Sequence, residues 1–583
     1  MSALGRFMLI FATIPAAVVA AQTDGASGPA PQRMQEKLLR GVVAVPISGH
    51  RVYISWRLLE SDAENVAFNI DRMTAGADRS VRINKEPITA TTDFIDADPP
   101  QGEVTYTVTP GSGVAPVIIA GYATIRLPAD PRDYISIKLD GGHTFQKVAI
   151  ADLDGDGNHD YVIKQPLENI DPYEKFWKKS PGTYKLEAYR SDGKFLWRYD
   201  MGWSIEQGMW YSPYIAYDFD GDGRADVAVK AGEGDPRDAD GRVKTGPEYL
   251  LILDGMTGKE RTRLDWPSRE GFSDYNYYCR NQIGMAFLDG KTPAVLVERG
   301  TYNTIKLIAY QFRDNRLRRL WAWNDSQGGR DYRGQGAHCI RAADIDDDGR
   351  DEVIIGSAAI DDDGKALWCT KLGHPDHVYV GDLDPDRPGL EIYYGIETRQ
   401  KQNGMCMVDA ATGKILWGFD KPTRHVHSHG LCSDIDPAHP GWECYGADTD
   451  ANKDFAFGVL FDCKGKVLGS ISDPKAVLGG FGPYAAYWDA DHQRELIGRR
   501  QIVKYGGESL AKIEGTVIAV ADVIGDWREE IITSLPGEMR IYTSTIPAKD
   551  RRIALMRDPI YRLDVVTGSQ AYYQTPCLRE PPK

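Results

Sequence analysis

The stretches "DLDGDGNHD" (152–160) and "DFDGDGRAD" (218–226) are two copies of one acidic, glycine-punctuated turn. In the first, Asp152, Asp154, Asp156 and Asp160 stand at offsets 0, 2, 4 and 8. Asp218, Asp220, Asp222 and Asp226 repeat that spacing, and "DIDDDGRDE" gives Asp344, Asp346, Asp348 and Glu352. Ca2+ takes about six to eight oxygens, and short carboxylates alternating around a glycine turn deliver them. The flanks "KVAIA" and "YVIKQ" read as strands, so these turns do not sit between helices. The spacing predicts several structural Ca2+ sites that pin turns and leave the chemistry to other residues.

Working outward, an Asp that ends an apolar strand and opens such a turn recurs at Asp382, Asp434, Asp489 and Asp522, with a degenerate copy at Asp289, eight in all. Between them recurs a tight hairpin followed by an aromatic strand: "DGKFLWRYD" (192–200), "DGKALWCTK" (363–371) and "TGKILWGFD" (412–420). One acidic turn and one Gly-Lys hairpin every few tens of residues predicts a four-stranded blade repeated around an axis. The expected fold is all-β, an eight-bladed β-propeller over 134–580. Residues 36–125 carry short alternating apolar runs such as "RVYISWRLL" and "VTYTVTPGSG", which predict a fibronectin type III-like β-sandwich before it.

The ends and the composition set the setting. Residues 1–21, with Arg6, the apolar run Phe7–Ile14 and the small residues "PAAVVAA", read as a signal peptide, and 22–35 as a linker. A secreted or periplasmic protein is expected. The 84 acidic against 69 basic residues, without a basic stripe, argue against nucleic acid or an anionic membrane as partner. A monomer is expected. The eight cysteines are spread over 300 residues and form no disulfide scaffold or CxxC zinc signature.

Histidine is sparse, eleven in the chain, yet six lie in 338–429: "GAHC" (His338), "LGHPDH" (His374, His377) and "RHVHSH" (His425, His427, His429). Loop histidines from successive blades, converging on a central funnel, suit proton transfer or metal ligation. Near them lie "DYNYYCRNQ" (274–282), "VERGTYNTIK" (297–306) and "DYRGQGAH" (331–338). Their Arg280, Arg299 and Arg333 are candidates to hold a carboxylate, and their aromatics to stack on sugar rings.

The runs "GQGAHCIRAADIDDDGRDEVIIGSAAIDDDGK", "LGHPDHVYVGDLDPDRPGLEIYYGIE", "IGDWREEIITS" and "LMRDPIYRL" resemble the rhamnogalacturonan lyases of polysaccharide lyase family 11, over about 36 to 575. The resemblance implies an eight-bladed, calcium-rich propeller after a fibronectin-like domain. It implies cleavage of rhamnose–galacturonate linkages by β-elimination, with a cleft calcium held by His338, His374, Asp376 and Glu397. Three positions depart from the family pattern. His429 stands for an Arg, Glu514 for a cleft Lys with Lys512 two residues away, and Gln146-Lys147 for an Asn-Asp pair. These departures point to a weakened cleft calcium with Lys147 meeting the substrate's charge, and they widen the candidate substrates to rhamnose–glucuronate polymers such as ulvan or plant gums. The expected base is His429 or His374, the proton donor Tyr302, and the carboxylate ligands Lys147 and Arg299, with Gln146 and Glu514 beside the substrate. A calcium-stiffened propeller that only binds glycan, and a glycoside hydrolase on the same scaffold, are the alternatives from other classes.

Overall fold

A computed structural model describes residues 32–111, 120–427, 430–471, 484–498 and 500–580. The expected signal peptide, most of the linker and His429 lie outside the described residues. Arg33, inside the expected linker, pairs with the buried Asp351 at 2.6 Å.

The N-terminal part is two sheets sharing one core. Val43–Ile47, Arg51–Ser55 and Asp93–Asp96 form one; Val81–Arg82, Phe68–Thr74, Gly102–Pro110 and Gly121–Leu127 form the other. In Gly102–Pro110 the buried residues alternate, Val104, Tyr106 and Val108 inward and the threonines between them outward, the period a half-buried strand requires. They meet Val52, Ile54, Trp56, Phe68 and Ile70. The last strand of this unit ends at Leu127, two residues beyond the expected boundary.

Among the described residues, eight four-stranded antiparallel sheets follow. Seven are consecutive meanders, the first running from Lys147–Ala151 to Phe195–Asp200. The eighth pairs Thr516–Ala521, Glu530–Leu535 and Glu538–Tyr542 with Tyr134–Lys138, a strand from before the first sheet. First strands are almost wholly buried, as in Lys147–Ala151 and Pro375–Gly381, whereas fourth strands such as Glu260–Asp265 are mostly not. Thr516–Ala521 touches Lys147–Ala151, which touches Tyr214–Tyr217, the first strand of the second sheet. The series therefore returns on itself.

Both sequence signatures have a mechanical role. In the first turn the Asp152 carboxylate accepts the N–H groups of Gly155, Asp156 and Gly157 at 2.7–3.1 Å. Gly155 and Gly157 hold φ +79° and +86°, which a glycine adopts without penalty. In the first and the fourth to seventh sheets the acid that opens the second strand reaches back to the turn: Asp160 accepts from Leu153, Glu352 from Ile345, Glu391 from Leu383 and Asp384, Glu443 from Ile435 and Asp436, Glu495 from Trp488 and Asp489. The hairpins lock neighbours. Trp197, Trp321, Trp368 and Trp417, each on a fourth strand, donate their indole N–H to a turn carbonyl of the following sheet at 2.7–2.9 Å. They lie against the turn glycines Gly258, Gly364, Gly413 and Gly465, where any Cβ would stand 2.6–2.7 Å from the indole.

One element was not expected. The helix Pro559–Thr567, capped by the Asp558 carboxylate and opened by Pro559, is buried from Ile560 to Thr567 and packs against the first strands of sheets one to four. After it the chain passes along those strands. Ser569 donates to the Tyr214 carbonyl, Gln570 bonds both backbone groups of Ile283, and Gln574 accepts from Arg341.

Candidate active site

Antiparallel pairing places the site opposite the acidic turns. Those turns join the end of each first strand to the start of its second. His338 lies near the start of the first strand Gly336–Ala343, His374 immediately precedes Pro375–Gly381 and Asp376 is its second residue, and Glu397 follows the second strand Glu391–Ile396. Arg280 precedes Asn281–Ala286, and Tyr302 follows Ala294–Arg299. All six sit at the other end of their sheets.

There they meet. The ring centroids of His338 and His374 are 4.6 Å apart, and Tyr302 packs 4.6 Å from His374 and 5.5 Å from His338. The Tyr302 hydroxyl is 3.0 Å from His338 Nε2. His374 donates its Nδ1 proton to the Gly336 carbonyl, leaving Nε2 2.9 Å from a Glu397 carboxylate oxygen. Asp376 stands 3.6 Å from His338 Nε2 and 3.9 Å from His374 Nε2. Burial holds His338 neutral, well below the usual imidazole range. Burial also lowers His374, but the Glu397 carboxylate beside it outweighs that and leaves it raised. Glu397, despite burial, is drawn down to about 2 by His374. Burial raises Tyr302, so its hydroxyl keeps its proton.

A cleft of about 460 Å³ opens beside this cluster, lined by its Tyr302 and Glu397 and by Arg280, Asp171, His427 and Tyr572 among others. Arg280 grips Asp171 with both guanidinium nitrogens, at 2.9 and 2.8 Å, and lies over the Trp210 and Tyr302 rings. Tyr173 and Phe176, exposed aromatics 5.9 Å apart, form one rim, with the Lys453 ammonium 5.5 Å from the Tyr173 ring. A second pocket of about 320 Å³ shares Asn169 and Tyr572 with the cleft and is lined by Gln146, Lys147 and Tyr573. Lys147 is buried without a carboxylate partner among the described residues. Its ammonium donates to the Ala571 carbonyl, and burial lowers it to about 8.

The expected site residues divide. His338, His374, Asp376, Glu397, Tyr302 and Arg280 converge as read from the sequence. Lys147 and Gln146 line the adjoining pocket. Arg299 is fully buried in an ion pair with Glu248, its other amine on the Tyr278 carbonyl, so it is a structural cation and not a cleft ligand. Arg333 is exposed and bonds Asn303, and Glu514 is exposed and pairs with Arg540; neither lines the cleft. His374 Nδ1 is bonded to the Gly336 carbonyl and its Nε2 faces the Glu397 carboxylate at 2.9 Å, which removes it as a free base. The sequence reading missed Asp171, which lies in the long loop 166–184, and Tyr572, which arrives from the C-terminal thread. His425 and His427 belong to the histidine cluster read as suited to proton transfer or metal ligation, but neither had an individual role assigned from the sequence.

The fit of a cation can be judged from the donors. His338, His374, Asp376 and Glu397 each offer one ligand atom within 4.8 Å of the others. His374 Nε2 and Glu397 Oε2 are buried without a hydrogen bond although 2.9 Å separates the groups, an arrangement that suits an ion between them. Asp152, Asp154 and Asp160 form such a set, as do Asp218, Asp220 and Asp222, and Asp344, Asp346 and Asp348. In the third turn Asp344 Oδ1 and Glu352 Oε1 are buried and unbonded. Asp156 instead accepts from the Asn158 N–H, and Asp226, with Asp220, is engaged by Arg261 at 2.8 Å.

A family model described as rhamnogalacturonan lyase family 11, C-terminal domain, matches residues 140–579, and one for the β-sheet domain of rhamnogalacturonan I lyases matches 33–113. The chain is 34% identical over 615 residues to rhamnogalacturonan endolyase YesW of Bacillus subtilis (strain 168), covering 98% of this chain and 94% of that protein. It is 34% identical to rhamnogalacturonan exolyase YesX of the same organism, covering 95% and 97%. The crystal structure of YesW superposes with a TM-score of 0.84 over 94% of this chain and 97% of that one. A Bacillus licheniformis rhamnogalacturonan lyase superposes at 0.83 with 32% identity and the same coverage.

Proposed function

The chain belongs to rhamnogalacturonan lyase family 11, and from that membership we propose that it cleaves the rhamnose–galacturonate bond of rhamnogalacturonan by β-elimination. The observation that carries the proposal is a proton-bearing Tyr302 beside a neutral His338 in a cleft rimmed by cations and aromatics. A β-elimination takes the proton from C5 of the uronate. The electron pair becomes the C4–C5 double bond, the bond from C4 to its glycosidic oxygen breaks, and that oxygen leaves on the rhamnose and takes up a proton.

Each step has a candidate group. Lys147 is the base: an amine lowered to about 8 is partly deprotonated near neutrality, the range in which a general base works best. Tyr302, which keeps its proton in the resting site, protonates the departing oxygen. Arg280, oriented by Asp171, and Lys453 lie in the cleft where the uronate carboxylate needs neutralising. His338, His374, Asp376 and Glu397 would hold a divalent cation, which when bound adds Lewis-acid stabilisation of that carboxylate. Tyr173, Phe176, Tyr277 and Tyr572 offer faces for sugar rings.

The finer architecture belongs to the same proposal. Eight closing sheets with buried first strands are an eight-bladed propeller, and the two-sheet unit before it is fibronectin type III-like. Ca2+ occupies the first and third acidic turns and stiffens the side away from the cleft. The chain acts as an exported monomer; no helix among the described residues is long and apolar enough to cross a membrane. The test is incubation with rhamnogalacturonan, following the ultraviolet absorbance of the conjugated unsaturated uronate. Steady growth of that band is expected, and its absence with an intact fold would overturn the proposal.

A further inference from the structure

We propose that the cleft holds two divalent cations, bridged by Glu397, the second carried by His425 and His427. It builds on the cation site proposed above, and the test separates the two. The two carboxylates face both ways. One oxygen of Glu397 lies 2.9 Å from His374 Nε2, and its other oxygen lies 3.3 Å from His425 Nδ1. Asp376 turns Oδ1 to His338 and His374, and Oδ2 to His427 Nε2 at 3.9 Å. Two donor sets result, His338–His374–Asp376–Glu397 and Glu397–His425–His427, each with its ligand atoms within 4.8 Å of one another, and they share Glu397.

The second set is held in place. Asp448 accepts the backbone N–H groups of Arg424 and His425, Thr449 donates to the His425 carbonyl, and the His425 and His427 rings stack 4.9 Å apart at 13°. His425 Nε2 is buried without a hydrogen-bond partner. Paired imidazole and carboxylate donors favour borderline first-row ions such as Mn2+, Co2+ or Zn2+ over Ca2+, which prefers oxygen alone. Carboxylate-bridged cations lie roughly 3.5–4 Å apart and clamp the two oxygens of an anionic ligand. Two dications against two carboxylates leave a charge of +2, so the pair suits a ligand bearing a carboxylate, as a uronate does.

The experiment titrates metal-free, full-length protein with Co2+ in excess Ca2+, so that the oxygen-only turns are filled by Ca2+. Imidazole-bound Co2+ is read from its visible absorption and the magnetic coupling of the pair. Two equivalents with coupling are expected, one equivalent without coupling in His425→Ala/His427→Ala, and loss of coupling in Glu397→Gln, with circular dichroism confirming the fold. One equivalent in the unaltered protein, unchanged in the double variant, overturns the pair and leaves the single site standing. No imidazole-bound Co2+ overturns both. Neither outcome decides whether elimination occurs, which the absorbance assay reads separately.

Discussion

Tyr302 and His338 share a hydrogen bond of 3.0 Å between hydroxyl and Nε2, although they come from different sheets and 36 residues apart in the chain. Burial opposes ionisation of both, so the resting pair is a phenol beside a neutral imidazole. Tyr302→Phe removes the proton and little else. It should lower kcat by roughly 10²–10⁴ with KM little changed, the usual scale of a lost general acid. Steady-state kinetics with rhamnogalacturonan reads it, and a loss confined to KM would make Tyr302 a binding residue only.

Lys147 must lose its proton to act as base. Because burial lowers it to about 8, kcat/KM should rise with pH through that value and level off above it. Lys147→Met should cost about 10²–10⁴ in kcat and remove that limb from the pH profile. A Met variant that keeps both the limb and the rate would show that another group takes the proton.

Gly413 turns at φ +66° against the face of Trp368, where a Cβ would stand 2.6 Å from the ring. Gly413→Ala therefore combines left-handed backbone strain with a clash, about 2–4 kcal/mol together. Urea unfolding should show the midpoint fall, with activity per folded molecule retained. An unchanged midpoint would mean that the Trp-to-glycine contacts do not hold neighbouring sheets together.

The turn carboxylates give a signed prediction. Burial, reinforced by neighbouring acids, raises Asp152 and Asp160 to about 7 and Glu352 to about 9. A raised acid favours the folded state while protonated, so in cation-free protein this contribution is lost as pH climbs from about 4, where the unfolded carboxyls ionise, through 7 for the two aspartates and up to 9 for Glu352. Thermal unfolding should show the melting point falling over that window and millimolar Ca2+ flattening the slope. A chelated protein whose melting point does not fall would show that the turns need no cation.

Much of the scaffold was legible because its signals are local. The acidic turns and Gly-Lys hairpins sit within nine-residue windows and recur, and the eight acidic turns match the eight four-stranded sheets among the described residues. The helix Pro559–Thr567 escaped because it is short and buried on all sides, and such a segment has no amphipathic period. At the site, His338, His374, Asp376 and Glu397 came from the family resemblance, and the histidine clustering agreed. Asp171 and Tyr572 did not, since a loop of sheet one and a thread from the chain end meet there only through the closure of the whole fold. Arg299 misled for the opposite reason: nothing local distinguishes an arginine that faces a cleft from one committed to the distant Glu248.

The most direct test of the account is the mass of what the enzyme releases from a rhamnogalacturonan oligosaccharide of defined length. Elimination predicts two fragments whose masses add up to that of the substrate, one ending in an unsaturated uronate. Fragments that together weigh one water more than the substrate, with every sugar saturated, would mean hydrolysis and would contradict the mechanism.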